Sequence, residues 1–284
     1  MIDMHCHVLP WVDDGASSLE EGLALVEVAA ASGIGTMVLT PKVDPGRHDN
    51  TRTNLTRKFD AFRTLAIRRG LEVELHLGAE AILSPAMMEL LGRGEVPFVG
   101  RWCGHDVLLL RWQEPYIPVG AVGAMKQMLD QHVLPMLVHP ERNPGVVRFP
   151  QALEMFVGEG CLIQVDSASL IGTHGPEVEA TARLLIERGW ASVVASNARS
   201  AIESPARLRR GFEILADLYG ADRARALVVD HPAALLRVDP NEAAGLRDAP
   251  DPIATDEVPT LPPEFQISGR RSPGFVHPSN VSVH

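Results

Sequence analysis

Three cysteines in 284 residues, Cys6, Cys103 and Cys161, form no CxxC pair and leave one over, which excludes a disulfide-stapled scaffold and fits a reducing compartment. None of them opens a cysteine-phosphatase loop. The position six residues on, where that chemistry needs an arginine, holds Val12, Leu109 or Ser167. No apolar run approaches the ~18 residues of a membrane span, so no membrane insertion is expected. The N-terminus carries an acid and two histidines where a signal peptide has a basic stretch and an apolar core, and the expected location is cytoplasmic. Lysine is nearly missing, with only Lys42, Lys58 and Lys126. A net charge of −10, from 26 basic and 36 acidic residues, argues against a nucleic-acid partner. There is no GxGxxG or Walker loop after a strand and no GxSxG elbow.

What is present begins at once. Ile2-Asp3-Met4-His5-Cys6-His7-Val8 reads as a strand, and period-2 alternation places His5 and His7 on one face with Cys6 on the other. Two imidazoles on one face suit a divalent metal. Asp13-Asp14-Gly15 follows as a turn.

Alternating strand and helix patterns continue to about residue 238. Strands are predicted at Ile2–Val8, Thr36–Thr40, Glu72–Leu77, Asp106–Leu110, Val133–Val138, Cys161–Val165 and Ala191–Ala195, and Ser18 and Ser84-Pro85 mark helix starts. Seven strands separated by helices imply a parallel α/β sheet with right-handed crossovers. Polar residues gather where strands end: His5 and His7, Lys42, Glu80, Arg111, His139, and Asn197 with Arg199. Chemistry gathers at the C-terminal strand ends of α/β barrels, so a barrel is favoured over an open doubly wound sheet. From Asp239 to His284 the chain turns to Pro, acids and small residues, and this composition predicts a disordered tail behind a folded domain of residues 1–238.

His5, His7, Glu80 and His139 together make three imidazoles and a carboxylate, a donor set for Mn, Zn or Fe. At these residues the chain resembles a family. Asp3-Met4-His5-Cys6-His7-Val8-Leu9-Pro10, Val12-Asp13-Asp14-Gly15-Ala16, Gly78-Ala79-Glu80, His139-Pro140-Glu141-Arg142 and Val229-Asp230-His231-Pro232 look like the polymerase-and-histidinol-phosphatase (PHP) superfamily. Within it they resemble most the bacterial tyrosine phosphatases of capsule and exopolysaccharide systems. The resemblance implies a distorted seven-stranded, TIM-like (β/α)7 PHP barrel and a manganese-type cluster at its mouth. It also implies hydrolysis of phosphotyrosine on a partner, the tyrosine kinase of polysaccharide export. Arg142 matches a substrate-phosphate arginine of the family, and Asp14 matches a further ligand position near the catalytic centre.

The chain departs from that pattern at four ligand positions. Lys42 stands in place of the histidine of a Thr-Pro-His motif, Arg111 in place of a carboxylate with Glu114 nearby, and Asn197 and Arg199 in place of the Asp and His of Ser-Asp-x-His. Cations cannot ligate a metal, so one or two ions are expected, not three. Arg111, Arg199, Lys42 and Arg142 become candidate phosphate-binding groups, since fixed cations hold a phosphoryl group well. Two readings stay open: a metal-dependent phosphatase of reduced metal complement, and a pseudo-phosphatase that binds phosphotyrosine as a regulatory module. A sister activity on a small phosphate ester is a third. Deleting residues 239–284 is expected to leave the melting temperature almost unchanged, as read by differential scanning fluorimetry, because few buried contacts would be lost.

Overall fold

Pro41 and Gly78 shape the architecture, because each interrupts a strand beside the mouth of the fold. The computed structural model describes residues 1–113 and 115–238; Glu114 and the tail lie outside the described residues. In chain order the first half runs β1 (Ile2–Cys6), α1 (Leu19–Ala31), β2 (Thr36–Leu39), β3 (Lys42–Val43), α2 (Arg52–Arg68), β4 (Glu74–Leu77), β5 (Glu80–Ile82) and α3 (Pro85–Gly92). It continues with β6 (Gly100–Trp102), β7 (His105–Arg111), α4 (Ala121–Asp130), β8 (Val133–Val138), α5 (Pro144–Arg148) and α6 (Glu154–Gly158). The second half closes with β9 (Leu162–Asp166), α7 (Ser167–Leu170), α8 (Pro176–Glu187), β10 (Val193–Ala195), α9 (Ala206–Tyr219), α10 (Ala221–Arg225) and α11 (His231–Leu236).

The helices start where the side chains satisfy their first N–H groups. Ser18 accepts from Glu21 N, Thr51 and Asn54 form a capping box, and Ser84 accepts from Met87 N ahead of Pro85. The strands read as apolar runs because both faces are covered, as parallel sheets require. Along β7, Val107 and Leu109 join Leu134, Met136 and Val138 of β8 in one buried cluster with Ile2, Met4 and Leu235. Their neighbours Leu108, Leu110 and Leu137 belong to a second cluster with Leu23, Val26, Leu55 and Phe62 of α1 and α2.

The hydrogen-bonded ladders make two sheets, in the orders β1-β2-β4 and β10-β9-β8-β7-β5-β3. The α/β class with parallel strands agrees with the sequence expectation, whereas the closed seven-stranded ring is not formed as one continuous ladder. Pro41 has no N–H to donate, so β2 and β3 separate around it. Gly78 separates β4 from β5, and a Cβ there would sit 2.5 Å from Val99 Cγ1. The open edges of β1 and β10 approach one another through a parallel Cys6–Ala198 bridge, with His7 N donating to Ala198 O at 2.7 Å and Asn197 N to His5 O at 2.8 Å.

A second difference is β6, which pairs antiparallel with β7. Its turn, Cys103-Gly104, has φ of 47° and 87° at both central residues, the conformation that two-residue hairpins prefer. Cysteine at the first of these positions carries no turn signal, so the hairpin was hidden. The helical connection from β8 to β9 is divided, with Pro144 opening α5 and Pro150 a 3-10 turn before α6.

Gly15 ties the Asp-Asp-Gly turn to β1 so closely that an added Cβ would meet His7 O at 2.0 Å and His7 Cβ at 2.6 Å. Gly15→Ala is therefore expected to destabilise the fold by about 1–3 kcal/mol through overpacking. The loss would be read from the shift of the urea midpoint at unchanged slope.

Candidate metal and phosphate centre

Because the main strands run parallel, their C-terminal ends deliver side chains to one mouth. His5 comes from β1 and His7 from just past it, Lys42 and Glu80 open the short strands β3 and β5 that follow the ends of β2 and β4, Arg111 ends β7 and His139 lies just past β8. The imidazole Nε2 atoms of His5 and His7 lie 3.2 Å apart. Glu80 Oε2 is 3.5 Å from His7 Nε2, and Glu80 Oε1 is 3.6 Å from His139 Nε2. The His5 and His139 rings lie parallel, 5.9 Å between centroids. His5, His7 and Glu80 are fully buried.

Tautomers follow from the outer hydrogen bonds. Gln164 donates its amide nitrogen to Val165 O at 2.7 Å, which turns its Oε1 toward His5 Nδ1, 3.0 Å away. The His7 Nδ1 faces Asp13 Oδ2 at 2.7 Å. Both Nδ1 atoms therefore donate, and the two Nε2 atoms turn inward and face each other. Burial pushes the His5 imidazole down to about 3, so it is neutral at neutral pH, the form in which an imidazole can ligate a metal. Burial disfavours the Glu80 carboxylate too, but the imidazoles of His139, His5 and His7 outweigh this and hold it well below the usual range. Two inward-facing ring nitrogens beside a buried carboxylate make a donor set for a cation.

A metal fits this donor set. Glu80 Oε2 and His139 Nε2 are buried without any hydrogen-bond partner. The spacings match the ~3.4 Å edge of a tetrahedron with bonds of ~2.1 Å. His5, His7 and Glu80 form one group of donors able to hold an ion, and His7, Asp13 and Asp14 form another among the described residues.

The second group is already occupied by charge from the chain itself. Lys42 Nζ lies 2.5 and 2.6 Å from the two Asp14 oxygens, and Arg199 Nη1 lies 3.3 Å from Asp14 Oδ2. Lys42 is almost buried, and its backbone N donates to Asp13 Oδ2 at 2.9 Å. Burial raises the Asp14 carboxyl, and the ammonium of Lys42 and the guanidinium of Arg199 more than offset it, so it lies below its ordinary value. Arg111 reaches the first group, with Nη1 3.4 Å from Glu80 Oε1. Arg199 also donates to Asn197 Oδ1 at 3.2 Å.

Arg142 stands apart from both groups, with Nη1 on Asp166 Oδ2 at 2.9 Å. It lines a 290 Å³ cavity together with His139 and Arg111. All nine of the expected site residues thus lie around one mouth, although Lys42 and Arg199 spend their charge on Asp14. Sequence reasoning overlooked Asp13, Gln164 and Asp166, which orient the ring nitrogens and Arg142. Asp13 was visible inside the Asp-Asp-Gly turn and Asp166 at a strand end; Gln164 carried no signal.

An α/β scaffold of parallel strands with a histidine–carboxylate centre at the strand ends defines the class. Residues 1–237 match the family described as capsular polysaccharide synthesis, CpsB/CapC, and the chain belongs to it. The tyrosine-protein phosphatase YwqE of Bacillus subtilis is 24% identical over 228 residues, 78% of this chain and 86% of the relative. The tyrosine-protein phosphatase CpsB of Streptococcus pneumoniae is 24% identical over 241 residues, 83% of this chain and 98% of the relative. A crystal structure from work on these two proteins, described as unique metal-dependent tyrosine phosphatases, superposes with a TM-score of 0.76 at 23% identity, covering 90% of this chain and 100% of that one. The likeness to capsule-system tyrosine phosphatases read from the sequence is borne out as family membership.

Removing Asp14 leaves the Lys42 ammonium nearly buried without its partner. Asp14→Ala is expected to cost about 1–3 kcal/mol. The double variant Asp14→Ala/Lys42→Met is expected to cost less than the two single changes summed, as chemical denaturation of the four proteins would show.

Proposed function

We propose that the protein hydrolyses phosphotyrosine on a partner protein in the cytoplasm, the tyrosine kinase of a polysaccharide export system. One or two divalent ions, Mn before Zn or Fe, are held by His5, His7, Glu80 and His139. The observation that carries this reading is the set of facing Nε2 atoms 3.2 Å apart beside an unpaired buried Glu80 oxygen, at the mouth that Arg142 lines. The phosphatase names of YwqE and CpsB support the reaction class.

When bound, a divalent ion lowers the pKa of a coordinated water and polarises phosphoryl oxygens. The protein's own residues do the rest. Gln164 and Asp13 fix the His5 and His7 rings so that their Nε2 atoms face the centre. Arg142 is half-buried and presents a guanidinium beside His139, where it can hold the phosphoryl oxygens in a forked geometry. Arg111 neutralises part of the Glu80 charge and faces the same cavity. Asp14, with Lys42 and Arg199 bound to it, serves as a charge clamp that replaces a further ion at the His7–Asp13–Asp14 group. The strand set supports a distorted seven-segment barrel, with β2–β3 and β4–β5 each counted as one interrupted strand and the Cys6–Ala198 bridge as its seam.

The same clamp favours a second reading, a phosphotyrosine-binding module without turnover. Metal analysis of purified protein with a phosphotyrosine-peptide assay under added Mn²⁺ separates the two. The expected result is no more than two ions per chain, with turnover lost to chelator and to His139→Ala. Three ions would overturn the reduced complement, and phosphopeptide binding without phosphate release would select the module. The combined change Lys42→His, Arg111→Glu, Asn197→Asp and Arg199→His is expected to raise the metal content. Single changes should do little, because no one of them completes a site.

A further inference from the structure

Asp166, at the end of β9, belongs to neither group of metal donors, yet it is heavily engaged and almost wholly buried. Its Oδ2 accepts from Arg142 Nη1 at 2.9 Å and from Asn197 Nδ2 at 3.3 Å, with His174 Nε2 3.7 Å away. Its Oδ1 accepts from Ala168 N at 2.8 Å. The backbone is pinned as well, since Asp166 N donates to Glu141 Oε1 at 2.9 Å and Ser169 Oγ donates to the same oxygen at 2.8 Å. Asp166 is therefore a fixed anchor.

Arg142 is the opposite kind of group. Its side chain is about one-third exposed. It borders two spaces, the 290 Å³ cavity shared with His139 and Arg111 and a 660 Å³ groove between α5 and α8 lined by Val147, Val178 and Leu184. A free arginine would swing between them, and ordering it at the moment of binding costs rotamer entropy. The bond to Asp166 removes that freedom beforehand and leaves the other N–H groups of the guanidinium for an oxyanion.

We propose that Asp166 is the positioning residue that aims Arg142 at the phosphoryl group, so that phosphate affinity depends on the Asp166–Arg142 pair as a unit. This rests on the phosphate-site reading above but not on turnover. The test is isothermal titration of the metal-loaded full-length protein with inorganic phosphate, for wild type, Asp166→Asn, Arg142→Ala and the double variant, with metal content measured for each. Asp166→Asn is expected to weaken phosphate on the order of tenfold at unchanged metal content, and the double variant to bind no more weakly than Arg142→Ala alone. A general structural role would instead subtract equally in both backgrounds, and that result would overturn the proposal. Loss of metal in Asp166→Asn would overturn it too, by making Asp166 a ligand.

Should Asp166→Asn fail to fold, Arg142→Lys carries the test. Lysine keeps the charge but loses the rigid planar fork that lets one N–H rest on Asp166 while the others are aimed at phosphate, so the same weakening is expected, and phosphate binding as tight as wild type would overturn the proposal. Coupled phosphate binding in a protein that releases no phosphate from phosphotyrosine peptides would retire the hydrolytic reading and leave this inference standing.

Discussion

A carboxylate buried among imidazoles is unfavourable unless a positive charge joins them, and the mouth of this fold is arranged around that condition. Glu80 is wholly buried, His5 is stripped of its proton by burial, and the two Nε2 atoms face one another at 3.2 Å. Arg111 reaches only one Glu80 oxygen, at 3.4 Å, and leaves the other unpaired. Every strand end around the centre either supplies a donor to it or orients one, which is why the parallel scaffold and the site are inseparable.

The mouth divides into two unlike halves. On the side of His5, His7, Glu80 and His139, three imidazoles and one acid leave a place for a mobile cation. On the side of Asp14, the chain has furnished tethered cations, Lys42 and Arg199. A tethered ammonium costs no binding equilibrium and cannot be chelated away, but neither can it activate a water as a metal does. The contrast sets a group of potential metal donors on one half and fixed electrostatics on the other.

Holding this arrangement strains the backbone locally. His139, Asn197 and Trp11 adopt φ of 36°, 50° and 58°, a region that side-chain-bearing residues seldom occupy and that costs on the order of 1–3 kcal/mol each. Two of them are held there by ladder bonds across the mouth: His139 N donates to Gln164 O at 2.8 Å, and Asn197 N to His5 O at 2.8 Å. The bonds that strain His139 and Asn197 also place them beside His5 and Gln164, so strain and site geometry share one origin.

The sequence by itself determined the alternation that sets His5 and His7 on one face, the parallel α/β class, and the strand-end positions of Arg111 and His139, whereas Glu80, read as a strand end, opens β5. These depend on period and spacing, which are local properties of the chain. The cations Lys42 and Arg199 were legible too, because the resemblance marks their positions as ligand positions and the residues standing there are read directly from the chain. The tertiary structure alone decided which groups touch. Asp13 faces His7 rather than the solvent its turn sequence suggests, and Gln164 meets His5 across 159 residues. Lys42 and Arg199 converge on Asp14 from opposite ends of the chain, and Asp166 takes hold of Arg142. The break at Pro41 and the hairpin at Cys103-Gly104 belong here as well. Whether a missing N–H parts a ladder depends on the neighbouring strand, and a turn without its usual residues forms when the strands beside it pair.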